Sequence, residues 1–171
     1  MPWYVAGGWA LDLYRGVESR EHEDLEIGVP ASGFPAIRSA LGEFEFDVIL
    51  DGRRWPLDGP AFGLSHQTWL RDPATDAYRL DVFREKHDGD TWICRRDETI
   101  RMRYDAIILR TADGIPYLTP EIVLLFKAKW ARPKDDEDLS GVLPLFDRER
   151  RSTLRDLIAR VHPGHRWLEQ L

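Results

Sequence analysis

Apolar and polar residues alternate along residues 22–29. Leu25, Ile27 and Val29 fall on one side of an extended chain, and His22, Asp24 and Glu26 on the other. This is the period-two pattern of a strand, and Pro30 is placed to end it. Ahead of it, residues 3–6 predict a short strand ending at Gly7-Gly8. Residues 9–14 then predict a short helix that Gly16 stops. Beyond it, residues 34–41 read as a helix with Pro35 in its first turn, and residues 44–50 alternate again as a strand. Residues 51–62, rich in Gly and Pro, read as loop. Strands are expected over residues 65–70 and 78–83, separated by a turn at Arg71-Asp72-Pro73. Asp88-Gly89-Asp90 predicts a hairpin turn into residues 92–95. Residues 105–110 read as a further strand, followed by a turn at 111–114.

The texture changes at Thr119-Pro120. Ile122, Leu125, Phe126 and Lys129 have helical spacing within residues 121–130, and Pro133 breaks the run. Two more helices are expected over residues 136–146 and 151–161, and a last turn holds Trp167, Leu168 and Leu171. Residues 1–118 therefore read as a mixed α/β core and residues 119–171 as a helical segment. No flexible linker separates them, so one compact unit is expected.

Composition narrows the class. The chain has 171 residues, 43% of them hydrophobic, with seven Trp, seven Phe and five Tyr, enough for a sizeable core. Its formal net charge of −6 lacks the basic excess that phosphate-gripping nucleic-acid binders carry, so nucleic acid is not an expected partner. An acidic total is compatible with a cationic substrate. The single cysteine, Cys94, excludes an internal disulfide and a multi-cysteine zinc site, and points to a reducing cytoplasm. No 18-residue apolar run predicts a membrane span, and no signal peptide is expected.

The carboxylates carry the candidate chemistry. Residues i and i+2 of a strand point the same way, about 6.5–7 Å apart, so Asp24 and Glu26 share a face and can converge on one cation. Oxygen-only ligation favours Mg²⁺ or Mn²⁺. An exposed face with ordinary surface acids gives the same alternation. Gly7-Gly8 at a helix start lets backbone N–H groups approach a phosphate. A third carboxylate lies in one of two later strands, Asp47 or Asp81, and alternation does not choose between them. His22 and Arg20 stand beside the acidic face. Lys127 and Lys129 lie about 200° apart on a helix, so only one can face a site. Asp135 and Asp138 fit the first turn of a helix, with Lys134 in the preceding loop. Of Trp9, Trp55, Trp69, Trp92 and Trp130, at least three are expected in or against the core. His162 and His165 sit in a Pro-Gly turn and read as surface residues rather than metal ligands.

As a set these residues resemble a known family. Gly7-Gly8-Trp9-Ala10-Leu11-Asp12, followed by Arg20, His22 and Asp24-Leu25-Glu26-Ile27, is similar to the small-molecule branch of the DNA polymerase beta-like nucleotidyltransferases. That branch includes the aminoglycoside and lincosamide nucleotidyltransferases. The likeness extends to Tyr78–Phe83, Gly114–Leu118, residues 120–128, Lys134-Asp135 with Asp138, and the terminal residues 162–168.

The resemblance implies an α/β (α+β) nucleotidyltransferase fold with a twisted mixed sheet. It implies that Asp24, Glu26 and Asp81 bind Mg²⁺ (or Mn²⁺), and that Asp81 accepts the proton of an attacking hydroxyl. Gly7, Gly8, Trp9, His22, Lys127 and Lys134 would bind the nucleotide co-substrate, with Lys127 facing the leaving pyrophosphate. The implied activity is transfer of a nucleoside monophosphate, AMP from ATP by first expectation, to a hydroxyl of a small-molecule acceptor, an aminoglycoside-like compound among the candidates. Nucleotidylation of a protein or RNA, and nucleotide binding without catalysis, are the alternatives. Two features depart from the family pattern. Glu26 stands where Asp is usual, and the first strand follows Met1-Pro2-Trp3 directly where relatives carry a helix. The second departure leads us to expect a start upstream, or a homodimer partner over the uncovered face.

Overall fold

Ile27 and Val29 point to one side of their strand and are buried, and the rest of the architecture follows from what they pack against. The computed structural model describes all 171 residues. In chain order, β1 (Tyr4–Val5) leads into α1 (Gly7–Arg15) and then β2 (Leu25–Pro30). Next come α2 (Phe34–Ala40), β3 (Glu45–Leu50), β4 (Arg53–Pro56), β5 (Gln67–Arg71) and β6 (Tyr78–Glu85). A small hairpin region follows, with β7 (His87–Asp88), β8 (Thr91–Ile93) and β9 (Arg101–Arg103). Then α3 (Tyr104–Ile107), β10 (Ile108–Arg110) and β11 (Pro116–Leu118) lead to α4 (Pro120–Lys127), α5 (Pro133–Val142) and α6 (Arg148–Val161).

The main sheet has eight strands in the order β10-β11-β1-β2-β6-β5-β3-β4, and β7-β8-β9 form a second sheet. Pairing is mixed: β2 runs parallel to β6 and β1 to β11, while β5 is antiparallel to both β6 and β3. One face of the β2–β6–β5 region buries Ile27, Val29, Leu70 and Val82 against Phe34 at the start of α2. The larger core gathers α1, α4 and α6 around Leu11, Leu124, Leu125, Leu154 and Ile158. Helix α4 is buried along Ile122–Leu125, so the helical segment packs directly on the α/β part. No helix is long and apolar enough to cross a membrane.

Gly16 ends α1 in the left-handed conformation, φ 72°, its N–H donating to the Asp12 carbonyl, as its position predicts. Pro35 occupies the first turn of α2. Four expectations need correction. Strand β2 begins at Leu25, so His22 and Asp24 lie in the bend before it, and Pro30 is its last residue rather than its stop. The Gly/Pro-rich stretch holds β4 as an edge strand, where Pro56 loses no ladder bond. Residues 104–107 form a helical turn before β10, because Tyr104 and Ile107 are both buried at helical spacing. Helix α5 starts at Pro133 rather than near Asp136, since a proline at the first helical position has no N–H to satisfy.

Candidate active site

Strand register aligns the acidic residues. Glu26 on β2 pairs with Asp81 on β6, Asp81 with Trp69 on β5, and Trp69 with Asp47 on β3. All four belong to one transverse row of the sheet, on the face opposite the apolar cluster under α2. This separates Asp81 from Asp47: Asp81 is beside Glu26, whereas Asp47 lies two strands away and accepts from the Tyr78 hydroxyl at 2.8 Å.

Asp81 is 3% exposed. Its Oδ2 accepts from Gln67 Nε2 at 2.5 Å and from Trp69 Nε1 at 3.1 Å, while its Oδ1 is buried without a partner. Burial pushes its carboxyl up; the Gln67 hydrogen bond opposes this, the nearby Glu26 charge adds to it, and the result is a pKa of about 7. Burial, and then the charge of Asp24, raises Glu26 as well.

The start of α1 closes over Glu26. Gly7 has φ 59° and its Cα faces the Glu26 carboxylate so closely that a Cβ would lie 1.4 Å from Oε2. The Ala6 N–H donates to the Glu26 carbonyl at 2.8 Å, tying the turn to β2. Gly8 faces His22 and Arg20: a Cβ there would meet His22 Cε1 at 2.5 Å and Arg20 Nη2 at 2.7 Å. His22 is held from behind. Its Nε2 is 2.6 Å from Asp12 Oδ2, and its ring packs on Trp9 with centroids 4.6 Å apart. Asp12 also accepts from the Ser19 N–H at 3.1 Å and the Ser19 hydroxyl at 2.5 Å. Burial works against the Asp12 carboxylate, but these hydrogen bonds outweigh it and hold its pKa below the usual range.

Two clefts meet at Glu26, Lys127 and Arg132. A polar one, lined also by Gly8, Arg20, His22, Asp24 and Lys134, has no hydrophobic wall. The other, of about 180 Å³, runs between β6 and α4 and is lined by Phe83, Val123 and Phe126 together with Arg95 and Arg96. Lys127 Nζ lies 2.8 Å from Asp138 and 3.3 Å from Asp135. An ammonium has three N–H groups, so this arrangement aims the lysine at the clefts with one donor to spare. Lys129 points elsewhere, over the Trp130 ring at 4.7 Å.

The structure thus brings Glu26, Asp81, Gly7, Gly8, His22, Lys127 and Lys134 to one region, with Trp9 behind His22. It does not draw the three carboxylates together: no group of three His, Cys, Asp or Glu side chains is close enough to hold one ion. Glu26 is turned toward Gly7, Asp81 toward Gln67 and Trp69, and Asp24 is exposed ahead of β2. The donor set still fits a divalent cation. It is all oxygen, Asp81 Oδ1 lacks a partner, and after burial the Glu26 and Asp24 charges push the Asp81 carboxyl up.

Sequence reading did not find Gln67 and Trp69, which hold Asp81, nor a role for Asp12. Gln67 and Trp69 do alternate within their strand, but only the β5–β6 register makes them neighbours of Asp81. His162 and His165 stay outside the site; His165 instead accepts from the Trp167 N–H. Trp9, Trp69 and Trp92 are buried or half-buried, while Trp130 is 71% exposed.

Residues 1–61 match the family model described as aminoglycoside-2''-adenylyltransferase. The chain is similar in structure to the lincosamide antibiotic adenylyltransferase LnuA in a lincomycin-bound crystal structure. That match has TM-score 0.58 and 20% identity, over 85% of this chain and 87% of that one. It is also similar to the antibiotic-resistance factor ANT(2'')-Ia. The solution structure gives TM-score 0.61 and 16% identity over 99% of this chain and 86% of that one. The complex with adenylyl-2''-tobramycin gives 0.60 and 16% over 93% and 88%. No curated protein sequence matches the chain at a significant level. The chain has the nucleotidyltransferase fold, and its first 61 residues, which carry Gly7, Gly8 and Glu26, match the aminoglycoside-2''-adenylyltransferase family.

Proposed function

We propose that the protein is a nucleotidyltransferase that moves a nucleoside monophosphate, AMP from ATP, to a hydroxyl of a small molecule and releases pyrophosphate. The observation that carries this reading is the Glu26–Asp81 pair: Asp81 keeps a buried carboxylate oxygen without a partner, and Glu26 beside it lines a cation-bearing cleft at a helix start. The N–H groups of Gly7, Gly8 and Trp9 and the positive end of α1 suit the β and γ phosphates. Arg20, His22 and Lys134 line the same cleft and add cationic or donor groups.

Asp24, Glu26 and Asp81 would hold Mg²⁺ or Mn²⁺, which when bound neutralises phosphate charge and makes the attacking hydroxyl more acidic. Asp81 Oδ1 takes the hydroxyl proton. The hydroxyl oxygen bonds to the α-phosphorus as the bond from that phosphorus to the bridging oxygen breaks, and pyrophosphate leaves with the electron pair. Lys127 donates its remaining N–H toward the charge that develops on that leaving group. Gln67 and Trp69 keep the other Asp81 oxygen fixed, so the free oxygen does not have to reorganise. LnuA binds lincomycin, and ANT(2'')-Ia is seen with adenylyl-2''-tobramycin; by likeness of fold we extend a small-molecule acceptor to this chain.

Calorimetric titration of ATP, GTP, CTP and UTP, with and without Mg²⁺, tests the reading on the protein and on an Asp24→Asn/Glu26→Gln double variant. Metal-dependent binding of one nucleotide, lost in the variant, is expected. Absence of metal-dependent binding for all four would overturn it.

A further inference from the structure

Resting on the nucleotidyltransferase reading above, we propose that the cleft between β6 and α4 receives the acceptor, and that this acceptor carries an anionic group, a carboxylate or a phosphate, on an apolar body.

The position follows from reaction geometry. An in-line displacement needs the incoming hydroxyl and the departing pyrophosphate on opposite sides of the phosphorus. With the triphosphate held by Gly8, Arg20, His22 and Lys134, the opposite side of the Glu26–Lys127–Arg132 wall is this second cleft. Phe83 lines it from β6, two residues beyond Asp81 and therefore on the same face of the strand. Val123 and Phe126 line it from α4, and the exposed Trp130 ring adds an aromatic surface.

The charge of the lining selects the acceptor. In a chain of net charge −6, this cleft collects four cationic side chains, Arg95, Arg96, Lys127 and Arg132, against two carboxylates, Glu26 and Glu85. Three of the cations are engaged. Arg95 pairs with Glu85 at 3.0 Å and stacks 3.8 Å over the Phe126 ring. Lys127 pairs with Asp135 and Asp138, and Arg132 with Asp135. Arg96 is different. No carboxylate lies within ion-pair distance of it, its Nε is buried without an acceptor, and its guanidinium is 5.9 Å from the Phe126 centroid.

A buried guanidinium N–H without a partner is costly, and a planar carboxylate or a phosphate is the group that satisfies it in bidentate fashion. The positive field is felt nearby. Burial first, and then Arg95, Arg84 and Arg96, lower the His66 pKa to about 4, so this histidine stays neutral. A cationic group placed against Arg96 would meet like charge.

The test uses three phenyl-bearing alcohols that differ in charge: 3-phenyllactate, 3-phenyl-1,2-propanediol and phenylalaninol, with tobramycin as a polycation. Binding to the intact protein is measured by calorimetry without nucleotide and again with saturating ATP and Mg²⁺. 3-Phenyllactate should bind at least about tenfold tighter than the neutral diol, as expected for one charge-assisted pair, and phenylalaninol and tobramycin more weakly still. Arg96→Gln should erase the preference and Arg96→Lys should keep part of it, each variant being checked for an unchanged melting temperature. If Arg96→Gln fails to fold, the wild-type series decides alone.

Equal binding of acid and diol, or tightest binding of tobramycin, would overturn the proposal. So would displacement of 3-phenyllactate by ATP, which would give the cleft to the nucleotide. Metal-dependent ATP binding without the anion preference defeats this proposal and leaves the nucleotidyltransferase reading standing. The anion preference without any nucleotide binding defeats that reading instead.

Discussion

Glu26 and Asp81 are directly paired across the parallel β2–β6 ladder, and Asp81 keeps one buried oxygen free of any hydrogen bond. The pair combines burial with like charge, so it opposes folding; in the reaction proposed above the same burial readies Asp81 to accept a proton. Asp81 has its pKa raised from 3.8 to about 7 by folding, so the folded chain binds more protons than the unfolded chain between those values. The stability contribution of this group therefore falls as pH rises from about 4 to about 7, and the loss is complete above 7.

Asp81→Asn removes that loss and keeps an oxygen to accept from Gln67 and Trp69. In metal-free protein with a chelator present, we expect the variant to gain up to a figure on the order of 4 kcal/mol at pH 8, shrinking toward zero near pH 4. Pyrophosphate release should fall by roughly a hundredfold or more, as for loss of a general base. Denaturant unfolding at several pH values and a pyrophosphate assay check both. A variant that is less stable at pH 8 than at pH 4.5, relative to wild type, would contradict the burial argument.

The two glycines of the α1 start should respond differently to alanine. Gly7 combines φ 59° with a Cβ position 1.4 Å from the Glu26 carboxylate. Gly7→Ala is expected to cost at least about 2 kcal/mol, from left-handed strain plus the displaced carboxylate, and to abolish metal-dependent nucleotide binding. At Gly8 there is no left-handed strain; the obstacles are the end of Arg20, which can swing away, and the His22 ring, which Asp12 and Trp9 hold in place. Gly8→Ala should cost less stability than Gly7→Ala, through displacement of His22 alone, and bind nucleotide roughly tenfold more weakly. Thermal melting and calorimetry separate the two.

Much of this was legible in the chain because the signals were local. The period-two run around Ile27 located β2, Gly16 located the end of α1, and helical spacing located α4 and α6. The approach of Gly7 to Glu26 was within reach of a local reading for the same reason: one short helix separates the two in sequence. What depended on register was not. Trp69 and Gln67 become partners of Asp81 only when β5 pairs with β6, and Asp47 separates from the Glu26–Asp81 pair only by strand order. Asp24 shows the opposite error. Alternation put it on the Glu26 face, but the chain bends before Leu25, and alternation carries no information about where a strand starts.

Asp12 and His22 should act as one unit. Asp12 fixes the imidazole through a 2.6 Å contact, and the other side of the ring faces Gly8 in the polar cleft. Asp12→Ala and His22→Gln should each weaken ATP binding by about tenfold, and the double variant should be little worse than either. Asp12→Ala should also cost about 1–3 kcal/mol of stability, because it strands the Ser19 donors; His22→Gln should cost less. Additive losses in ATP affinity across the double-mutant cycle would show that Asp12 supports the fold without positioning His22.

His66 sets the acid side of the stability profile. Burial, followed by the charges of Arg95, Arg84 and Arg96, lowers its pKa from 6.5 to about 4. The unfolded chain therefore binds more protons than the folded chain between those values. Stability is full above about pH 6.5 and declines as pH falls toward 4, by an amount on the order of 3 kcal/mol for this residue. His66→Gln keeps a neutral polar group beside Phe83 and cannot charge, so the variant should lose this part of the decline. The Asp81 contribution changes in the opposite sense over an overlapping range, so the effects are resolved by comparing each variant with wild type at every pH. The check is chemical denaturation of wild type and His66→Gln at half-unit steps from pH 4 to 8. The difference should be flat above pH 6.5 and grow in favour of the variant below it. A constant difference across the range would mean that His66 charges as readily in the folded chain as in the unfolded one, and that the three arginines exert no net field at that position.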